Sequence, residues 1–175
     1  MSKHSSQRND GLPPLGVGIT YSPAIETLVT GHPDEFDVVE IEPQTIWVER
    51  QDEPSRYRIP GQMLRHLARL PGRKTIHSLG VPVGGAVPPE VHQLELLQDT
   101  IEQLGAPWIT EHLSFNSTGE FSTGFFLPPR QTMDGVATAA RNIRALQSTF
   151  SVPVGVEQAL IISSRATTKC VTVNL

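Results

Sequence analysis

The fold is decided by the stretch at residues 108–115, which reads Trp-Ile-Thr-Glu-His-Leu-Ser-Phe. It begins as an apolar, strand-forming run and ends in a carboxylate, an imidazole and a hydroxyl. In parallel α/β sheets, ligands collect at the carboxyl ends of the strands, and this stretch is typical of such a strand. We therefore expect the other strands of the chain to end in polar groups as well.

The composition bounds the class of protein. The 175 residues suffice for one domain with a substantial core, and the net charge of −4 with no basic block argues against a nucleic-acid partner. The single cysteine, Cys170, excludes an internal disulfide framework and a zinc site made of several thiolates. No apolar run approaches the roughly 20 residues that cross a bilayer, and residues 1–14 lack a signal-peptide pattern. We expect a cytoplasmic protein with a flexible polar leader at 1–14 and no membrane partner.

Strand-like and helix-like segments alternate along the chain. We expect strands near residues 15–20, 37–43, 74–80, 108–115 and 152–158, helices near 24–30, 61–70, 90–104 and 133–150, and loops at 44–60 and 116–129. Helical crossovers join parallel strands, so the pattern predicts an α/β fold. The best architecture is a TIM-like (β/α)8 barrel, of which residues 15–158 form an N-terminal portion of about five β/α units. A doubly wound open sheet is the alternative.

The alternation along these strands places polar side chains on one face. That face would carry Thr20, Glu40, Glu42, Thr75, His77, Thr110, His112, Ser114 and Glu157. Each of them alone has an ordinary explanation, such as a hydrogen-bonded core histidine or a glutamate paired with an arginine. Several at equivalent positions favour a metal site, because buried carboxylates and imidazoles need partners and suit iron, manganese or zinc. Glu111 has the opposite parity in its strand, so we expect it to have a supporting role. In the helix expected at 133–150, we expect Val136 to face the core.

Five motifs then identify a family. They read Gly-Val-Gly-Ile at 16–19, Val-Glu-Ile-Glu-Pro-Gln at 39–44, Thr-Ile-His-Ser-Leu-Gly at 75–80, Thr-Glu-His-Leu-Ser at 110–114 and Val-Glu at 156–157. In this order they resemble the DUF692 (UPF0276) family, the multinuclear non-haem iron-dependent oxidases. The resemblance covers about residues 15–158, and the motifs around His77 and His112 are its more specific part.

The resemblance implies a TIM-like barrel that holds two or three non-haem iron ions and uses O2 as co-substrate. It implies oxidative modification of cysteine in ribosomally synthesised precursor peptides, often with a partner protein that presents the substrate. By this resemblance His77, His112 and Glu157 are metal ligands, and Glu40 is a ligand or supports one. Gln44 stands where many members have Glu.

The resemblance also sets an expectation about length. Family members continue through strands six to eight with further ligands, whereas residues 159–175 carry no motif of the family. We therefore expect a barrel truncated after about strand five, followed by an atypical tail at 159–175. Three functions stay open: an iron oxidase whose activity depends on the missing part, a non-catalytic barrel remnant, and a divalent-metal isomerase of the same architecture.

Overall fold

The computed structural model describes residues 16–50 and 56–158, together with the backbone of a short strand at Val171–Thr172. The expected leader at 1–14 and nearly all of the tail at 159–175 lie outside these residues. The strands are β1 Gly18–Thr20, β2 Val38–Ile41, β3 Val48–Glu49, β4 Tyr57–Arg58, β5 Arg73–Ser78, β6 Ile109–Leu113, β7 Phe115–Ser117, β8 Ser122–Leu127, β9 Val154–Gln158 and β10 Val171–Thr172. The helices are α1 Glu26–Gly31, α2 Gly61–Arg69, α3 Val91–Leu104 and α4 Met133–Thr149, and short 3-10 turns cover Pro23–Ile25 and Pro43–Ile46.

The central sheet has the order β1-β2-β5-β6-β9-β10. Its first five strands are mutually parallel, and β10 pairs with β9 in the antiparallel direction. Each parallel strand is added beside the one that precedes it, with no reversal of order in the described part of the chain. A doubly wound sheet requires such a reversal, so the order favours barrel-type winding, and closure into a full barrel stays a prediction.

The helices form where the sequence predicts them, and their ends have identifiable causes. Gly105 ends α3 in the left-handed conformation with φ of 61°, which a glycine adopts without steric cost. The Thr132 hydroxyl caps α4 by accepting a hydrogen bond from the backbone N–H of Gly135. These helices pack on the face of the sheet that carries Val39, Ile41, Ile76, Ile109, Val154 and Val156.

Two expected loops contain strands instead. Residues 44–60 include the 3-10 turn and an antiparallel pair in which Val48 lies opposite Arg58. Residues 116–129 belong largely to a hairpin that β7 and β8 form, with Phe115 paired to Leu127. Polar and charged residues prevail in 44–60, turn-forming residues are frequent in 116–129, and the apolar residues of β8 are exposed. Neither segment therefore shows the half-buried alternation that predicts a strand.

Val136 was wrongly expected to face the core, because its side chain is 60% exposed. The buried residues of α4 are Gly135, Ala139 and Leu146. A Cβ atom at Gly135 would lie 1.9 Å from the carbonyl oxygen of Arg130, so only glycine permits this approach. The face of α4 that carries Gly135, Ala139 and Leu146 is therefore the packed one, and Val136 lies outside it.

Candidate metal centre

The register of the parallel strands places the predicted polar residues on one face. Cα partners across parallel strands share a face, and the pairs are Thr20 with Glu40, Glu40 with Thr75, His77 with Thr110, and His112 with Glu157. The residues of the opposite face are the core residues of the sheet. The parity predicted from the sequence is therefore confirmed for the residues within the five parallel strands, whereas Glu42 and Ser114 lie beyond the ends of β2 and β6.

Three of the predicted ligands come together at the carboxyl ends of β5, β6 and β9. The Nε2 atoms of His77 and His112 are 3.2 Å apart, and His77 Nε2 lies 3.6 Å from Glu157 Oε2. All three candidate ligand atoms lie within 4.8 Å of one another. Donors about 2.1 Å from one ion are separated by roughly 3.0–3.4 Å, so the two imidazole nitrogens have the spacing of a shared cation and the Glu157 oxygen at 3.6 Å lies slightly outside it.

The donor set has a recognised chemistry. Two imidazoles and one carboxylate on one side of an ion form the facial triad of non-haem Fe(II) oxygenases, and the same donors occur in catalytic zinc sites. The side chain of His77 is only 9% exposed, whereas that of Glu157 is 43% exposed. The cluster is therefore closed by protein on the histidine side and open to a ligand on the Glu157 side.

The tautomer of His77 suits metal binding. Its Nδ1 lies 2.8 Å from Thr110 Oγ1, and the Thr110 hydroxyl donates to the carbonyl oxygen of Ile76 at 3.4 Å. A metal on Nε2 requires the ring proton on Nδ1, and Thr110 Oγ1 is placed to accept that proton while its own hydroxyl turns toward Ile76 O. Nε2 then keeps its lone pair directed at the cluster, which is the arrangement that metal-binding histidines adopt.

His112 lies in a less polar environment. Its ring makes an edge contact with His77 at 4.7 Å between centroids and packs on Phe126 at 4.3 Å. Burial and the neighbouring His77 lower the pKa of His112, and Glu157 opposes this effect. The net effect favours the neutral imidazole, the form that binds a metal, and its Nδ1 is buried without a hydrogen-bond partner among the described residues.

Glu40 lies outside this cluster. It pairs in register with Thr75, two residues before His77, and its Oε1 accepts a hydrogen bond from Thr20 Oγ1 at 2.8 Å. The structure therefore brings together His77, His112 and Glu157. Glu40 lies on the same face but nearer to the amino ends of the strands, level with Thr75.

Phe126 and Glu111 complete the surroundings of the cluster. Phe126 comes from β8 and covers the His112 ring, a contact that no local pattern predicts because it depends on how the hairpin folds back. Glu111 is 1% exposed, and its carboxylate accepts the backbone N–H groups of His112 at 2.7 Å and Val81 at 3.0 Å. The supporting position expected from its parity is consistent with these contacts.

Comparisons with known proteins match the resemblance. A family model described as RiPP precursor modification enzyme MbnB/TglH/ChrH matches residues 16–169. A UPF0276 protein of Streptomyces avermitilis is 32% identical over 153 residues, which covers 82% of this chain and 29% of that relative. The chain thus spans less than a third of the length of this relative. No helix of the described residues is long and apolar enough to cross a membrane. With the motifs, the sheet order and the family model in agreement, this chain belongs to the MbnB/TglH/ChrH family of RiPP precursor modification enzymes, the DUF692 or UPF0276 group.

Proposed function

We propose that this chain contributes His77, His112 and Glu157 to the iron centre of a non-haem oxidase that modifies cysteine in a ribosomally synthesised precursor peptide. The observation that carries the proposal is the convergence of two imidazole nitrogens and one carboxylate oxygen within 4.8 Å at the carboxyl ends of three parallel strands. Family membership supports a peptide substrate, and the donor set supports iron.

The residues of the chain have distinct tasks in this proposal. Thr110 holds the His77 ring by its Nδ1–H, Phe126 shields the His112 ring from water on one side, and Glu157 faces the open side where a substrate thiol enters. Iron held there supplies Lewis acidity toward the thiol and electrons toward O2. Glu40 is a support of the face rather than a ligand to the same ion.

The wider assembly belongs to the same proposal. We infer that residues 15–158 are the N-terminal portion of a TIM-like barrel, with two or three iron ions held jointly with residues from the remaining strands. A partner protein that presents the precursor peptide fits this arrangement, since the family is described as one of RiPP precursor modification enzymes.

Metal analysis after anaerobic expression tests the proposal. The chain should carry iron above background, and the paired substitution His77→Ala with His112→Ala should remove it. His32→Ala is the matched control, because this histidine is exposed and its ring pairs with Glu35 at 3.2 Å rather than with a residue of the cluster. Equal iron in wild type and in the paired variant would overturn the proposal.

A further inference from the structure

A second polar cluster is buried behind the metal-binding face. It consists of Gln44, Ser78 and Glu111, and the last two are 0% and 1% exposed. Ser78 and Glu111 are Cα partners across β5 and β6, on the face opposite to His77 and His112. None of the three donates a ligand atom to the candidate metal centre.

The cluster is a connected chain of hydrogen bonds. Gln44 Nε2 donates to Ser78 Oγ at 2.8 Å, and Gln44 Oε1 accepts the backbone N–H of Leu79 at 3.1 Å. The Ser78 hydroxyl is in turn hydrogen-bonded to the Glu111 carboxylate. The nitrogen and the oxygen of the Gln44 amide thus bind Ser78 and Leu79, the two residues that follow His77.

Glu111 joins the two histidine-bearing strands beyond the end of their ladder. The β5–β6 pairing ends at Ser78 and Glu111. One carboxylate oxygen of Glu111 accepts the N–H of His112 at 2.7 Å and the other accepts the N–H of Val81 at 3.0 Å. A single side chain thus bridges the backbone of a candidate ligand and the loop that continues from the other ligand strand.

Neighbouring backbone contacts extend this bridge. Val83 N donates to His112 O at 3.0 Å, and Gly84 N donates to Ser114 O at 2.7 Å. Asn142 on α4 donates to the carbonyl oxygens of Val83 at 2.9 Å and Gly85 at 2.8 Å. Hydrogen bonds therefore hold the loop after β5 along the end of β6. The bond from Val81 N–H to Glu111 is the first of them after the β5–β6 ladder ends.

We propose that Glu111 is a positioning residue of the metal centre, which holds the ends of β5 and β6 at the spacing where the Nε2 atoms of His77 and His112 share one cation. The inference rests on the proposed metal centre. Residues that orient metal ligands from outside the coordination shell typically change metal affinity by about 10–100-fold when they are replaced. Glutamine keeps the shape of Glu111 but places an amide NH2 against backbone N–H donors, so one of the two bridges is lost.

The experiment is a Co2+ titration of the whole chain at pH 8 without oxygen, followed by visible absorption of the bound ion. Glu111→Gln should raise the Co2+ dissociation constant about 10–100-fold. Ser78→Ala should raise it less, since it removes only one contact of the carboxylate. Thr100→Val is the matched control. Thr100 is also 0% exposed, and its hydroxyl donates to the carbonyl oxygen of Leu96 within α3, away from β5 and β6, so Co2+ affinity should not change.

A second readout separates this inference from the proposed function. In the metal-free chain, the amide signals of His112 and Val81 and the ring nitrogen signals of both histidines should shift in Glu111→Gln and not in Thr100→Val. Wild-type Co2+ binding with an unchanged constant in Glu111→Gln overturns the positioning role alone. Absence of Co2+ binding in the wild type overturns the metal centre. If, in addition, the histidine signals of the metal-free Glu111→Gln variant match those of the wild type, the positioning role is overturned as well. If Glu111→Gln does not fold, an unchanged Co2+ constant in Ser78→Ala overturns it.

Discussion

Thr110 shows how a single hydroxyl prepares the candidate metal centre. Its oxygen lies 2.8 Å from His77 Nδ1, where it can accept the Nδ1–H that a metal-bound His77 carries, and 3.4 Å from the carbonyl oxygen of Ile76. The alternation of the strand predicts that Thr110 and His112 share a face, but it does not predict that Thr110 contacts the ring on the neighbouring strand. That contact requires His77 and Thr110 to be level, which is a property of the register.

Replacement of Thr110 by valine should weaken metal binding while the fold persists. The isosteric change removes the acceptor of the Nδ1 proton, so the ring of His77 loses its fixed orientation. We expect Co2+ affinity to fall by about 10–100-fold and the free energy of unfolding of the metal-free chain to fall by about 1 kcal/mol. Thr110→Ser keeps the hydroxyl and should bind Co2+ like the wild type. Equal Co2+ affinity in the valine variant would contradict this role.

The buried carboxyl of Glu111 gives the metal-free chain a pH dependence. Burial raises the pKa of Glu111 from its ordinary value of 4.5 to about 7, against the lowering effect of its hydrogen bonds to Ser78, His112 and Val81. The folded chain therefore holds this proton where the unfolded chain has lost it, and stability falls as pH rises from about 4.5 to 7. The loss is on the order of 3 kcal/mol and is complete above this window.

Urea unfolding at pH 5 and pH 8, in the presence of a chelator, checks this dependence. Glu111→Gln has no proton to lose, so the stability of the wild type relative to this variant should decrease between the two pH values. The lowered pKa of His112 acts in the opposite direction, since a folded state that resists protonation gains stability as pH rises. Both chains contain His112, so its effect cancels in the difference. A difference that stays constant would refute the raised pKa.

Strand β9 shows how one element depends on its neighbour. Gly155 lies beside Thr110 in register, and a Cβ atom placed on it would lie 3.0 Å from Thr110 Cγ2. This spacing is tighter than ordinary contact, so a larger residue must displace the threonine that orients His77. A glycine within a strand is thus explained by close approach of side chains on the site face rather than by a turn.

Replacement of Gly155 by alanine should therefore cost stability and metal affinity together. We expect the free energy of unfolding to fall by about 1–3 kcal/mol, as for other overpacked sites, and Co2+ binding to weaken because Thr110 moves from His77. The matched control is Gly31→Ala at the end of α1, where an added Cβ meets nothing within 4 Å. Chemical denaturation and Co2+ titration measure both quantities. Unchanged Co2+ affinity in Gly155→Ala would show that Thr110 tolerates the methyl group in place.

At the scale of the whole molecule, the candidate ligands come from three neighbouring strands, β5, β6 and β9. A cation held by them links segments that are far apart in the chain but adjacent in the sheet. Only the folded chain presents this arrangement, so binding of a metal there would be coupled to folding. The stability of the chain should therefore depend on metal concentration.

This coupling predicts a shift of the unfolding transition. At a free Co2+ concentration of 100 times the dissociation constant, the wild type should gain about 2.7 kcal/mol of unfolding free energy. The His77→Ala, His112→Ala variant should gain nothing, and His32→Ala should behave as the wild type. Thermal or urea unfolding with and without Co2+ makes the comparison. Equal gains in the paired variant and the wild type would place the stabilising metal elsewhere.

The sequence by itself determined which residues share a face and in what order strands and helices follow one another. It did so because alternation and helical spacing are local properties, and Glu40, His77, His112 and Glu157 were separated in this way from the core residues. The tertiary structure alone decided the register between strands. Register depends on how the helices and loops pack, and those contacts join residues that are distant in the chain. That register brings His77 Nε2 to His112 Nε2, leaves Glu40 with Thr20, and folds Phe126 over the site.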